Sequence, residues 1–320
     1  RMSYLKYTIA TLVAIPTTLI AFNKTYNYFN HSSPTLPKKH FHKDVHIFNQ
    51  NGTTEQNVTN TANLIKELIE CMALSFCGTN KNDPERFMDW ALGKSLSISS
   101  EAMEYNYNYE ENLNKRLIVI RWVMSMIAHE TIQKGNGSIL YIRNKNGTIG
   151  AASVIKFENV QETYLTKMSD TITKMFLVIT TLGKPPWMEE SSASGKAWPV
   201  GIGSRFDAGS KMLKKFHHTW TNGKHVYTLI MAVAPTCQGL GYCSKIMNTT
   251  VAIGNENNMD VYLETGGEKN QSVYRRYGYV VVEEKELLLK NDDEPNLVYS
   301  AMLKKHGGDV DDTKSHKNKL

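Results

Sequence analysis

The tightest constraint on how this chain can fold lies near residue 230. Val226, Thr228, Ile230 and Ala232 alternate with Tyr227, Leu229, Met231 and Val233, so the run reads as a strand buried on both faces. Pro235 ends it. The glycine-bearing stretch Gln238-Gly239-Leu240-Gly241-Tyr242-Cys243 follows, and then Ile246, Met247, Val251 and Ile253 fall in a helical pattern. A strand that runs through a glycine turn into a helix calls for an α/β or α+β architecture. It is also a physical device for holding phosphate. Glycines admit close backbone approach, and the exposed N–H groups and helix dipole favour an anion. Lys245, one turn into the helix, can add a formal charge to the same anion.

Two familiar phosphate binders fit poorly. No GxxxxGK[ST] is present, which excludes a Walker loop. A dinucleotide fingerprint needs GxGxxG, and Ser244 occupies the third glycine slot. The acidic ribose partner should close the next strand, whereas Asp260 opens it and Glu264 ends it.

The surrounding chain supplies helices and a hairpin. Leu64, Ile65, Leu68, Ile69, Met72, Ala73 and Phe76 form one apolar helical stripe. Asp83-Pro84 predicts the start of a second helix carrying Phe87, Met88 and Trp90. A third is expected over about 110–133, with Leu113, Leu117, Ile120, Val123, Met124 and Ile127 on its buried side. Asn146-Gly147 separates two β-rich runs, 138–145 and 148–157, and predicts a hairpin. A helix is expected over about 160–181, then a Gly/Ser/Pro loop to about residue 205.

The formal charge of +6 sits at one end. Arg1, Lys6, Lys24, Lys38, Lys39 and Lys43 precede the first acid, Asp44, and residues 44–320 balance 31 basic against 31 acidic side chains. A nucleic-acid binder would carry its excess on the folded body, so no nucleic-acid partner is expected. With 41% hydrophobic residues the body can bury a core.

The leader holds an apolar run over residues 7–22 that includes Pro16 and four threonines. Signal-anchor helix, cleaved signal and acid-poor organellar presequence all stand as readings. Membrane association through residues 4–22 with a cytosol-facing body is favoured, because most nearby lysines follow the run; an organellar or soluble cytoplasmic location is the alternative. The division expected is a leader and polar linker over 1–60, a catalytic body over 61–305 and a disordered tail over 306–320. Cys71, Cys77, Cys237 and Cys243 match no zinc or CxxC spacing and are expected as free thiols, so no metal ligand is assigned.

The segment around the glycine turn resembles the GNAT superfamily of N-acetyltransferases. Their acyl-CoA motif is a strand ending in Val-x-Pro, then Gln/Arg-x-x-Gly-x-Gly/Ala. Val233-Ala234-Pro235 and the Gln238 to Cys243 run match it, with Cys243 in the last small-residue slot. A second block, Leu-Glu, then Asn, then Tyr-x-x-x-Gly-Phe/Tyr, is matched by Leu263-Glu264, Asn270 and Tyr274-Arg275-Arg276-Tyr277-Gly278-Tyr279. The close match covers about residues 210–303. A weaker one, through Phe76, Asp83-Pro84, Trp90 and His217-His218, reaches back to about 61 and resembles the fungal and bacterial branch related to small-molecule acetyltransferases.

The resemblance implies a central mixed sheet flanked by helices, acetyl-CoA as co-substrate and no metal in the transfer. It implies that Gln238, Gly239, Leu240, Gly241, Tyr242 and Cys243 hold the pyrophosphate through their backbone. Met231, Ala232 and Val233 would pair with the pantetheine arm where two strands splay apart, and Asn270 would touch that arm. Tyr274 would give a proton to the departing thiolate, and the Val233 N–H would receive the carbonyl oxygen. Glu264 is the chosen general base, with His217, His218 and Glu101 as rivals. Asn270 is also a candidate cap for its own helix. The cluster Lys211, Lys214, Lys215, His217 and His218 reads as a solvated helix face or, alternatively, as a grip on the 3′-phosphate. The expected acceptor is an amine, on a small molecule before a protein. Two other classes stay open: an inactive acyl-CoA-binding regulatory module and a nucleotide-dependent oxidoreductase.

Overall fold

The computed structural model describes residues 42–48, 58–78, 86–93, 96, 109–134, 136–159, 185–188, 201–221, 223–287 and 297–307. The leader run, Asp83-Pro84, Glu101, the helix expected over 160–181 and residues 308–320 lie outside them. Among the described residues no helix is long and apolar enough to cross a membrane.

Among the described residues seven strands form one mixed sheet: β1 (His46–Phe48), β2 (Gly137–Arg143), β3 (Ile149–Asn159), β4 (Lys224–Val233), β5 (Asp260–Gly266), β6 (Val280–Leu287) and β7 (Leu297–Lys304). Their order is β1-β2-β3-β4-β5-β7-β6, so β7, the last of the described strands, lies between β5 and β6. Every described pairing is antiparallel except β4 with β5. The helices are α1 (Val58–Cys77), α2 (Arg86–Leu92), α3 (Tyr109–Lys134), α4 (Ile202–Trp220), α5 (Tyr242–Glu256) and α6 (Glu268–Arg275).

Neighbouring side chains on a strand point to opposite faces, and this assigns the layers. On β5, Val261 lies where a Cβ on Gly254 of α5 would come within 2.4 Å of its Cγ2. Tyr262 packs instead with Met212 and Phe216 of α4 and Trp90 of α2. On β3 and β4, Ala152, Val154, Ile230 and Ala232 join the core of α1, α2 and α3. So α1 to α4 cover one face and α5 the other. The parallel β4–β5 pair is connected by α5, as a crossover requires.

Several local expectations change on inspection. The hairpin turn is a three-residue loop rather than a two-residue one. Asn144 accepts from the Gly147 N–H at 3.0 Å and donates its own N–H to Thr148 at 2.8 Å, and Gly147 adopts φ 82°. That is a type I turn closed by a left-handed glycine, and Asn146 does not need positive φ there. α4 begins at Ile202, inside the stretch expected as loop. Its buried residues Ile202, Arg205, Gly209, Met212 and Phe216 recur every three or four positions. Gly209 is a packing residue, since a Cβ would meet the Phe87 ring at 2.8 Å.

On α3, Ile120, Val123 and Met124 are buried as expected, whereas Leu113, Leu117 and Ile127 are half-buried. The same face buries Arg116 completely. Its Nε donates to the Cys77 carbonyl at 2.6 Å, and its Nη1 bonds Asp89 at 3.0 Å, so the charge is compensated where it is buried.

Candidate active site

β4 carries one residue more than its neighbour. Val154 pairs with Ile230 and Ile155 with Thr228, which leaves Leu229 as a bulge. Parallel pairing with β5 covers only His225–Thr228 against Asp260–Leu263. Beyond the bulge β4 runs on to Val233, and β5 to Gly266, without pairing to each other. Met231, Ala232 and Val233 therefore line a place where the two strands part.

Which way their main chain faces follows from alternation. The Ala234 N–H donates to Gly150 of β3 at 3.0 Å, so the Val233 N–H points to the other side, toward the opening left by β5. There it donates to the Ser75 hydroxyl of α1 at 3.1 Å. Ser75 was not singled out by sequence; no local pattern connects it to a strand 158 residues away.

The glycine run lies just beyond β4. Pro235–Cys237 forms a short 3-10 turn, and Gln238, Gly239, Leu240 and Gly241 are all exposed. Gly239 and Gly241 adopt φ 79° and 76°, conformations costly to a residue bearing a Cβ. Gly241 is the N-cap of α5, and no side chain caps that helix end. The first N–H groups of such a helix have no partner within it, and here they face an exposed loop. This arrangement fits a pyrophosphate in its donors and its room, because nothing lies within 4 Å of a Cβ built on either glycine. Tyr242 and Cys243 are half-buried, and burial pushes the Cys243 thiol up to about 11. Lys245 is already engaged, forming an ion pair with Asp44 at 2.6 Å beside the Tyr242 ring.

The second block divides. Glu264 sits on the α4 face of β5 and accepts from the Tyr227 hydroxyl at 2.7 Å. The residue keeps some exposed surface, yet its Oε1 is buried without a hydrogen-bond partner. Burial raises its carboxyl to about 8, although the Tyr227 and Tyr262 hydroxyls oppose that rise. Asn270 is not a cap: Gly267 caps α6, and Asn270 Nδ2 reaches back to the Gly266 carbonyl at 3.2 Å. Tyr274 is half-buried near the end of α6, its ring 6.2 Å from that of Tyr279. Buried Gln271 fastens this helix to the sheet through Glu284 at 2.7 Å and Ser300 at 2.8 Å.

The rival bases separate in the same way. Lys211, Lys214, Lys215 and His218 form the solvated face of α4, with Lys211 paired to Asp207 at 2.7 Å. His217 turns inward, its ring 4.5 Å from Tyr227 and stacked on Tyr262 at 5.2 Å. Burial lowers it to about 3 and lowers His225 as well. Asp260 opens β5 at the end away from the glycine run, bound to Lys305 at 2.6 Å and His306 at 3.0 Å. Of the two carboxylates on β5, only Glu264 lies towards the end where a ribose would need one, and it is turned to the α4 face and bonded to Tyr227. All four cysteines are free, and Cys71, Cys77 and Cys237 are buried.

No protein-family model matches the chain, and no curated protein matches it in sequence. Solved structures that the chain is similar to include a histone acetyltransferase HPA2 and related acetyltransferase from Corynebacterium glutamicum. It is 12% identical over 83% of this chain and 98% of its own, with a TM-score of 0.42. Arylalkylamine N-acetyltransferase 2 from Aedes aegypti is 11% identical over 82% of this chain and 99% of its own, at 0.45. A polyamine N-acetyltransferase from Drosophila melanogaster is 12% identical over 82% and 100%, at 0.41. In its two sequence blocks the chain resembles the GNAT N-acetyltransferases.

Proposed function

We propose that the chain is an acetyl-CoA-dependent N-acetyltransferase that acts on a primary amine by direct attack in a ternary complex. The observation that carries this reading is a juxtaposition: an uncapped helix N-terminus with two positive-φ glycines sits directly beyond the bulged strand that parts from its neighbour. Backbone N–H groups of Gln238 to Cys243 hold the pyrophosphate. The free edge of β4 at Met231, Ala232 and Val233 pairs with the pantetheine arm. The Val233 N–H receives the carbonyl oxygen once the Ser75 hydroxyl yields it, and a preorganised donor of this kind stabilises the developing negative charge. Holding thioester and amine together supplies much of the rate.

Glu264 takes the proton of the amine through water, since a carboxyl poised near neutrality is suited to both accepting and releasing it. Tyr274 returns a proton to the leaving thiolate, and Asn270 orients the arm. A small-molecule acceptor is favoured by the weaker upstream resemblance, from Phe76 to Trp90.

The test is thiol release from acetyl-CoA across polyamines, aminoglycosides, nucleoside amines and peptides. Turnover with at least one amine is expected. Intact CoA binding with no release from any acceptor would make the body an acyl-CoA-binding module instead. Stabilisation by a nicotinamide dinucleotide and not by acetyl-CoA would favour the oxidoreductase reading.

A further inference from the structure

Away from the glycine run, three side chains from three elements converge: Glu158 on β3, His217 on α4 and His225 on β4. Glu158 and His225 are register partners on adjoining strands, so both project from the same face. α4 delivers His217 from its last turn onto that face. One donor atom from each residue lies within 4.8 Å of the other two.

The tautomers constrain what this trio can bind. His225 Nδ1 lies 3.0 Å from the Gly223 carbonyl, which only accepts, so Nδ1 carries the proton and Nε2 offers a lone pair. His217 Nε2 stands 2.5 Å from His225 Nε2, facing that lone pair, and His217 Nδ1 is 3.6 Å from Glu158 Oε2. A proton on His217 Nδ1 satisfies the carboxylate but leaves two nitrogen lone pairs facing one another. A proton on Nε2 relieves that clash but turns a lone pair toward the carboxylate. A cation between the imidazoles resolves both conflicts, with a ring N–H held by a carbonyl on one ligand and by a carboxylate on the other.

The surroundings suit a fixed site. His217 is clamped by the Tyr227 and Tyr262 rings, and His225 is buried. Glu158 is about a third exposed, leaving a path for the ion and for a water ligand. The nearby ammonium of Lys156 is balanced by Glu130 at 3.5 Å. Two imidazole nitrogens, one backed by a carboxylate, match zinc better than magnesium or calcium, which prefer all-oxygen shells. On a tetrahedral ion with bonds of about 2.0–2.1 Å, the two nitrogens would stand about 3.3 Å apart. Their separation therefore has to widen by about 0.8 Å, a small ring rotation.

We propose that Glu158, His217 and His225 form a site for a divalent transition-metal ion of the zinc class, which ties α4 to β3 and β4. The site is independent of the transfer chemistry. It adjoins that chemistry through Tyr227, which packs on His217 and donates to Glu264, and through Tyr262, whose ring stacks on His217.

The test uses the full chain, stripped with a chelator and titrated with Zn2+, and separately with Co2+ as a spectroscopic probe. One ion per chain is expected, with the visible absorption of four-coordinate Co2+. At a free Zn2+ concentration 100 times Kd, the apparent unfolding constant should fall about 100-fold. Glu158→Gln should keep the fold and weaken binding at least about tenfold, and His225→Gln should abolish the Co2+ spectrum. Because the wild-type titration needs no variant, failure of His225→Gln to fold leaves the test intact. Substoichiometric binding by the wild type, an octahedral Co2+ spectrum, or equal affinity in Glu158→Gln would overturn the proposal. The pair would then be an ordinary imidazole–imidazole hydrogen bond.

Discussion

Replacing Glu264 with glutamine probes burial and chemistry in one variant. The carboxyl is raised from 4.5 to about 8, chiefly by burial. Its folded pKa lies above its unfolded one, so between these values the folded chain keeps a proton that the unfolded chain has released. The associated stability is fully present below pH 4.5 and is lost as pH rises through 8. Integrated between pH 5.5 and 7.5, this single group should cost the wild type about 2.5 kcal/mol. The surface that the residue still exposes makes this an upper bound. Glutamine can accept from Tyr227 and does not titrate. The difference between wild type and Glu264→Gln therefore isolates the group from the other carboxylates, several of which are depressed and act in the opposite sense. Urea unfolding at pH 5.5, 6.5 and 7.5 reads it directly, with the variant gaining on the wild type as pH rises. Parallel stability curves for the two proteins would refute the assignment of a buried, proton-holding carboxyl. Turnover separates the second role: if Glu264 is the base, the variant should lose about 100-fold or more in kcat.

Three further outcomes follow from the geometry. Tyr274→Phe should lower kcat about 100-fold with little change in CoA affinity; lost affinity with unchanged turnover would reverse its role. Gly241→Val places a branched side chain at φ 76°, a strain of about 1–2 kcal/mol, and calorimetry should find CoA binding abolished. Retained binding would remove the glycine run from the phosphate site. Gly254→Ala pushes a Cβ to 2.4 Å from Val261 Cγ2 and 3.0 Å from the Met259 carbonyl, and should destabilise by about 1–3 kcal/mol in urea without altering CoA binding.

What the sequence made legible was local. The strand, glycine run and α5 are contiguous, and each forms where its local pattern places it. The bulge at Leu229 was hidden because β4 is apolar on both faces, so a slip of one residue leaves no mark on hydropathy. The burial of Arg116 leaves no mark in the sequence, because its compensation, the Cys77 carbonyl and Asp89, comes from other elements. The first turn of α4 was obscured by Gly203, whose small size serves packing against Trp187. Ser75 at Val233, and Glu158 beside His225, depend on tertiary contacts and strand register, which no spacing rule conveys.

The placement of β7 between β5 and β6 has a consequence for how the protein is made. Synthesis proceeds from the amino end, so β5 emerges with one edge bare and β6 with no neighbour until residues 297–304 leave the ribosome. A premature stop before residue 297 removes the join between two strands rather than a dispensable margin. It exposes the β5 edge to pairing with other chains. The sheet cannot become complete until β7 has been translated.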